Sequence, residues 1–401
     1  MTSAGWPYQD FDVAALLDGG WRPRPFHEFI VKVHQRCNLA CSYCYVYTHA
    51  DQTWRGRPDV MPAAVFTAFA DRLGRHVRAH DLRRVQVVLH GGEPMLLGAA
   101  KLGQLAAALR AALPPGCDLR LGLQTNGVLL DEAALRELRR HRITVAVSVD
   151  GVAETHDRHR VTHAGRGSFA SVRRALELLA RPEHRDGFGG LLCTVAPDTD
   201  PVACYRSLRA FDPPGIDFLL PHANWGSPPA RPGDSPTAYG RWLVGAFDAW
   251  HGDPDAVPVR LFESVVDLTL GGASRSEQIG LSPAALVVVE SDGAIEQVDA
   301  LKSAYEGACA TGLNVRDDEF DTALTHPGVV ARQIGLAALG QECAACPVRR
   351  VCGGGHYAHR YRPGAGFRNP SVYCADLRLF VDHVRARVAT DVRALAGAVT
   401  A

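Results

Sequence analysis

The sequence predicts an α/β protein, a partial (β/α)6 TIM-type barrel followed by a small C-terminal domain rich in cysteine. Three observations predict it. Strand-like and helix-like segments alternate six times through the first two-thirds of the chain. The strands are apolar on one face only. Seven of the eleven cysteines fall into two clusters, one early and one late.

The strand candidates are Phe29–His34, Val85–His90, Asp118–Gln124, Thr144–Val149, Gly189–Val195 and Ile216–Pro221. Between and after them lie the helix candidates Pro62–Val77, Ala99–Leu113, Glu132–His141, Ser168–Ala180, Pro201–Phe211 and Ala238–Trp250. In the fourth, Phe169, Val172, Leu176 and Leu179 recur at three- and four-residue steps, which makes one apolar stripe. Strands each followed by a helix imply a parallel sheet with helical crossovers. A central strand of a flat, doubly wound sheet is buried on both faces and reads as continuously apolar. Here Val145, Val147 and Val149 alternate with Ala146, Ser148 and Asp150, and Leu119, Leu121 and Leu123 alternate with Arg120, Gly122 and Gln124. That pattern fits helices outside and a polar, ligand-lined interior. Such barrels carry their chemistry at the C-terminal ends of the strands.

Residues Asn224–Asp234 are rich in Pro, Gly and Ser and read as a long loop. Ala285–Ile295 reads as two short strands around Asp292-Gly293, a hairpin turn signal. A cysteine-rich stretch, Cys343–Cys374, and a last helix, Ala375–Leu395, follow. The expected organisation is an N-terminal segment (1–28), the barrel (29–225), a linker with bridging helices (226–284) and the second domain (285–395).

Global properties narrow the function. Hydrophobic residues make up 47% and charged residues 21%, with zero formal net charge. Nothing in that balance favours nucleic acid or an anionic membrane. Met1–Phe11 lacks a basic patch followed by an apolar core, and no apolar run approaches the roughly 18 residues of a membrane helix. The expectation is a cytoplasmic enzyme with no nucleic-acid or membrane partner. In a reducing compartment, spaced cysteines suggest metal or catalysis over disulfides. Cys117, Cys193, Cys204 and Cys309 are scattered and read as small buried hydrophobes.

Cys37-x3-Cys41-x2-Cys44 directly follows the first strand. Three thiolates this close can ligate three irons of a four-iron cube and leave the fourth open. The plain alternative is structural zinc, which wants a fourth ligand such as His34 or His49. His90-Gly91-Gly92-Glu93-Pro94 ends the second strand, Gln124-Thr125-Asn126-Gly127 the third, and Ser148-Val149-Asp150-Gly151 the fourth, with Arg160 beyond. Each is weak alone, and their order at successive strand ends is specific. Cys343-x2-Cys346-x5-Cys352 with Cys374 is a four-thiolate set open to iron or zinc.

From about Phe29 to Asp376 the chain resembles radical S-adenosylmethionine enzymes that carry a SPASM domain. The resemblance implies two [4Fe-4S] clusters, one binding S-adenosylmethionine (AdoMet) through Cys37, Cys41 and Cys44, and one auxiliary cluster on Cys343, Cys346, Cys352 and Cys374. It implies that Gly91, Gly92 and Glu93 meet the AdoMet amino group and that Ser148 and Arg160 hold its carboxylate. Gln124 and Asn126 would lie near the sulfonium or ribose, and Tyr43 beside the adenine. A full SPASM domain holds a further inner cluster, but Val298 and His356 stand where two of its thiols belong, so one auxiliary cluster is expected. Asp299 takes the place of a base in sulfatase-maturing relatives. The loss of the inner cluster, Gly353–Arg360 and the Leu219–Trp225 segment resemble the FxsB-like branch. That likeness implies a ribosomal precursor peptide as substrate, a three-residue cyclophane crosslink as product, and a flavodoxin- or ferredoxin-type electron donor. Met1–His27 or Asn224–Asp234 would grip the precursor's leader. The rival expectations are a formylglycine-forming maturase and a zinc-binding regulator.

Overall fold

The structure, a computed structural model, describes residues 11–399. Six parallel strands come first: β1 (Glu28–His34), β2 (Arg84–Gly91), β3 (Asp118–Thr125), β4 (Ile143–Ser148), β5 (Phe188–Thr194) and β6 (Ile216–Leu219). They lie side by side in chain order. The sheet continues past β1 into β7 (Leu286–Val289), β8 (Ala294–Glu296) and β9 (Ala310–Asn314), giving the order β6-β5-β4-β3-β2-β1-β7-β8-β9. β7 runs parallel to β1, with Phe29 opposite Val287 and Val31 opposite Val289, and the β7–β8 hairpin turns back antiparallel. The C-terminal region is thus joined to the barrel through backbone pairing at β1. The sheet stays open at β6, as a partial barrel requires.

Helices cover the outer face. Helix Ala63–Ala79 buries Val65, Phe66, Phe69, Leu73 and Val77, a stripe at three- and four-residue spacing, against Phe29 of β1 and Phe320. Asp131 and Asp200 cap the helices Glu132–Arg140 and Pro201–Arg209, each accepting a backbone N–H from the first turn. The last helix, Cys374–Val399, places Phe380 on Phe247 of helix Ala238–His251 and Phe262 of helix Arg260–Thr269. Each fully buried aromatic or aliphatic side chain of this kind contributes about 1.5–3 kcal/mol.

The alternation in β3 and β4 has the predicted outcome. Leu121, Val145 and Val147 are buried under the helices, while Gly122, Gln124, Thr144, Ala146 and Ser148 line an interior cavity of about 1090 Å³. Cys193, Cys204 and Cys309 are buried as expected, but Cys117 at the start of β3 is only half-buried. Among the described residues, no helix is long and apolar enough to cross a membrane. Residues 1–10, part of the expected leader-gripping segment, lie outside the described residues.

Candidate functional site

The cavity opens at the C-terminal ends of the strands, and the first cysteine loop closes one end of it. Cys37, Cys41, Cys44, Tyr43, Gly91, Gly92, Glu93, Gln124, Asn126, Ser148 and Arg160 all line it. Backbone hydrogen bonds pin the loop. Ala40 N–H donates to the Val161 carbonyl at 2.7 Å and Ser42 N–H to the His159 carbonyl at 3.1 Å, while Cys44 N–H closes a turn onto the Cys41 carbonyl. The loop also packs on the end of β2. Gly92 N–H donates to the His34 carbonyl (2.8 Å) and Glu93 N–H to the Arg36 carbonyl (2.9 Å).

That approach explains the two glycines. A Cβ on Gly91 would sit 2.0 Å from the His34 carbonyl oxygen, and one on Gly92 would sit 1.9 Å from Tyr47 Oη and 2.5 Å from the Arg36 carbonyl. Glu93 turns inward. Its carboxylate accepts from Met95 N–H, Thr125 Oγ1 and Asn126 N–H at 2.6–2.9 Å, which ties the ends of β2 and β3 together. Burial pushes its pKa up to about 7, against the opposing pull of those three hydrogen bonds.

Asn126 reaches back to the loop, donating from Nδ2 to Asn38 Oδ1 at 2.7 Å and more weakly to Cys37 Sγ. Gln124 Nε2 donates to Ser148 Oγ at 2.9 Å. Arg160 is buried and pairs with Asp150, Nε to Oδ2 at 2.9 Å. Its guanidinium lies over the Tyr43 ring, whose hydroxyl also donates to Asp150. Asp150 therefore anchors both residues, and it accepts Thr194 N–H from β5 as well. Sequence reasoning quoted Asp150 in the strand-end motif without giving it a role. Its place at a strand end, ten residues before Arg160, was the available signal.

The thiols here are neutral when free. Burial pushes Cys37 up to about 12 and Cys41 up to about 11, with Arg160 pulling Cys41 the other way. A bound metal centre inverts that preference and holds them as thiolates. Among the described residues, two groups have three ligand atoms within 4.8 Å of one another: His76/His80/Asp321 and Glu290/Glu296/Asp299. Neither cysteine set is that tight. One tetrahedral zinc, with Zn–S near 2.3 Å, needs sulfurs about 3.8 Å apart. The wider spacing suits the thiolates of an iron–sulfur cluster better than those of one zinc ion.

Val298, His222, His356 and His359 line another wall of the cavity at the same, C-terminal end of the strands, where Tyr45 of the cysteine loop reaches His222. The three imidazole ring centroids lie 5.0–6.1 Å apart, and Tyr45 meets His222 edge to face. His222 Nδ1 and both nitrogens of His359 are buried without a hydrogen-bond partner. Sequence reasoning missed His222 and His359 as site residues. Near this wall, Asp299 Oδ2 pairs with Lys32 Nζ at 2.6 Å, while Asp299 Oδ1 has no partner. Lys302 lies 3.0 Å from both Glu290 and Glu296, and Arg57 pairs with the same two carboxylates. Cations thus fill the acidic Glu290/Glu296/Asp299 group. The second cysteine set is separate. Cys343, Cys346, Cys352 and Cys374 do not line the cavity, and burial raises the Cys343, Cys352 and Cys374 thiols.

Residues 31–187 match the Radical SAM superfamily model. The chain is 28% identical over 349 residues to the serine-type anaerobic sulfatase-maturating enzyme of Klebsiella aerogenes, covering 84% of this chain and 81% of the relative. It is 25% identical over 377 residues to the cysteine-type anaerobic sulfatase-maturating enzyme of Clostridium perfringens, covering 91% and 97%. The solved structure of native anSMEcpe with bound AdoMet shares the fold, with a TM-score of 0.78 at 24% identity over 90% of this chain and 98% of that one. These relatives correct the crosslinking expectation. Similarity along almost the whole chain runs to sulfatase maturases, so the cyclophane-forming, FxsB-like assignment and its β-carbon-to-ring crosslink are withdrawn. The part of the chain that the Radical SAM superfamily model matches, residues 31–187, takes in the cysteine loop after β1 and the motifs that end β2, β3 and β4.

Proposed function

We propose that this chain is a radical AdoMet maturase that oxidises the β-carbon of a serine or cysteine in a peptide or protein to an aldehyde, as formylglycine formation requires. The observation that carries it is one cavity with two chemically different walls: three thiols and Gly91–Glu93 on one, and unpartnered imidazoles near the Asp299–Lys32 pair on the other, with Tyr45 between them. The likeness to both serine-type and cysteine-type maturases supports the same reading.

Cys37, Cys41 and Cys44 would hold the AdoMet-binding cluster, and Cys343, Cys346, Cys352 and Cys374 one auxiliary cluster. When bound, these groups supply a hydrogen-abstracting 5′-deoxyadenosyl radical and an acceptor for the substrate's remaining electron. The chain's residues do the rest. Gly91 and Gly92 let the cysteine loop pack directly on the end of β2 and so fix it at the cavity wall, while Ser148, Gln124 and Arg160 offer donors beside it. Buried polar groups without partners are rare in folded proteins. His222, His359 and Asp299 Oδ1 have hydrogen-bonding capacity left for a peptide substrate. Asp299, held by Lys32, is the carboxylate for the proton that leaves the serine hydroxyl or cysteine thiol; with cysteine, water then hydrolyses the thioaldehyde and hydrogen sulfide leaves. A flavodoxin- or ferredoxin-type donor supplies the priming electron.

The test uses anaerobically reconstituted protein and peptides carrying β-deuterated serine or cysteine. Deuterium in the released 5′-deoxyadenosine, together with a peptide that reacts with a carbonyl-trapping reagent, is the expected result. Release of 5′-deoxyadenosine with neither deuterium nor a trappable carbonyl sinks the proposal.

A further inference from the structure

On the outer face, away from the cavity, His76 and His80 stand one turn apart on helix Ala63–Ala79 and its C-cap. Asp321 faces them from helix Phe320–Leu324. His76 Nδ1 lies 2.5 Å from Asp321 Oδ1, and His80 Nε2 lies 3.0 Å from the same oxygen. The other His76 nitrogen, Nε2, lies 3.0 Å from the Phe26 backbone carbonyl.

A carbonyl oxygen only accepts, so Nε2 of His76 must carry the hydrogen. In the neutral ring Nδ1 then presents a lone pair, and it points at a carboxylate oxygen that also only accepts. Two acceptors at 2.5 Å share a proton, or part to about 3.3 Å to take a metal ion with bonds near 2.0 Å in its place. Two further features favour the metal. His80 Nε2 adds a third ligand atom to the same point, so all three atoms lie within 4.8 Å. A backbone carbonyl holding the far N–H of an imidazole is also the usual support of a metal-bound histidine. Phe26, Phe29 and Phe320 pack around His76, so its ring cannot turn away. His80 and Asp321 are partly exposed, which leaves an entry path and a position for water.

We propose that His76, His80 and Asp321 form a divalent-metal site, suited by its two imidazoles and one carboxylate to zinc, that ties helix Ala63–Ala79 of the barrel to helix Phe320–Leu324 of the C-terminal region. Imidazole nitrogen and carboxylate oxygen are ordinary zinc ligands. The role is structural: the bound ion joins two elements far apart in sequence and stabilises the folded state by mass action.

The test uses the reconstituted iron–sulfur protein, so that both cysteine sets are filled before zinc chloride is added. After gel filtration the wild type should retain one zinc per chain besides its iron, whereas His80→Ala and Asp321→Asn retain none. Chelation should lower the melting temperature of the wild type by several degrees and leave His80→Ala unmoved. Cobalt(II) in place of zinc should give ligand-field bands without thiolate-to-cobalt charge transfer, which separates this site from stray binding to cysteine. Equal zinc in the wild type and both variants overturns the proposal. So does no zinc in the wild type, since the centre between His76 and Asp321 is then a proton.

Discussion

Two walls of the cavity, the thiol side and the imidazole side, are held by different physics. On the thiol side the backbone does the holding: carbonyls of His34 and Arg36 accept the N–H groups of Gly92 and Glu93, and no room remains for a Cβ at Gly91 or Gly92. On the imidazole side charge does it: Lys32 with Asp299, and Lys302 and Arg57 with Glu290 and Glu296. The thiol side has nearly every polar side chain paired within the protein. The imidazole side keeps buried nitrogens and one carboxylate oxygen unpaired. A preformed cradle suits a cofactor that binds in one pose. Spare hydrogen-bonding capacity suits a substrate that comes and goes.

The sharpest way to break this contrast is to remove a thiol from the cavity and one from outside it. Cys41→Ala should lose about half of the iron and bring 5′-deoxyadenosine release below detection. Cys374→Ala should lose a similar share of iron, keep AdoMet cleavage, and lower the yield of oxidised peptide roughly ten-fold or more. Equal AdoMet cleavage in the two variants would erase the distinction between the sites. On the imidazole side, Asp299→Asn leaves Lys32 charged, 1% exposed and without its closest partner. Stranding a buried charge costs about 3–5 kcal/mol, and Glu290 nearby keeps the loss near about 3. Lys32→Met with Asp299→Leu should recover most of that stability in urea unfolding without restoring the carbonyl product. If the double variant also regains activity, Asp299 is a structural partner of Lys32 and no base. Next in size is Gly92→Ala, expected to cost about 1–3 kcal/mol by overpacking. Adding Tyr47→Phe removes the hydroxyl contact but not the 2.5 Å clash with the Arg36 carbonyl, so recovery should be partial.

Local pattern carried the sequence reading a long way. The β3 and β4 alternation announced an interior lined by Gly122, Gln124, Ala146 and Ser148, and the strand-end motifs do meet around the cysteine loop. The Asp292-Gly293 turn announced the β7–β8 hairpin. Its parallel pairing with β1 is a contact between residues more than 250 apart, which no local period encodes. Helix Arg260–Thr269 was expected only as one of the bridging helices of 226–284, without bounds, although Leu261, Phe262 and Val265 repeat on one side. Lys32 was a visible anomaly, one charge inside the apolar run of β1. Its meaning depends on Asp299, which arrives from the far end of the sheet. His222 and His359 were illegible for the same reason: they face one cavity from β6's exit and from the cysteine-rich segment, and only the fold makes them neighbours.

The smallest expected effect probes the imidazole side directly. Burial, with repulsion from His49, lowers the His222 pKa to about 4, and Asp299 only partly offsets this. An exposed imidazole titrates at 6.5. Between pH 6.5 and about 4 the unfolded chain therefore binds more protons at this position than the folded one does. The stability tied to the neutral ring is complete above pH 6.5 and is lost as the pH falls. From pH 6.5 to 5.5 the loss from His222 alone is about 1 kcal/mol. His222→Gln, which keeps a polar group but does not titrate, should flatten the pH dependence of urea unfolding by about that amount in this interval. An unchanged slope would mean that the ring already carries a proton in the folded protein. A carboxylate or other acceptor would then have to face it, and the imidazole side would be paired like the thiol side.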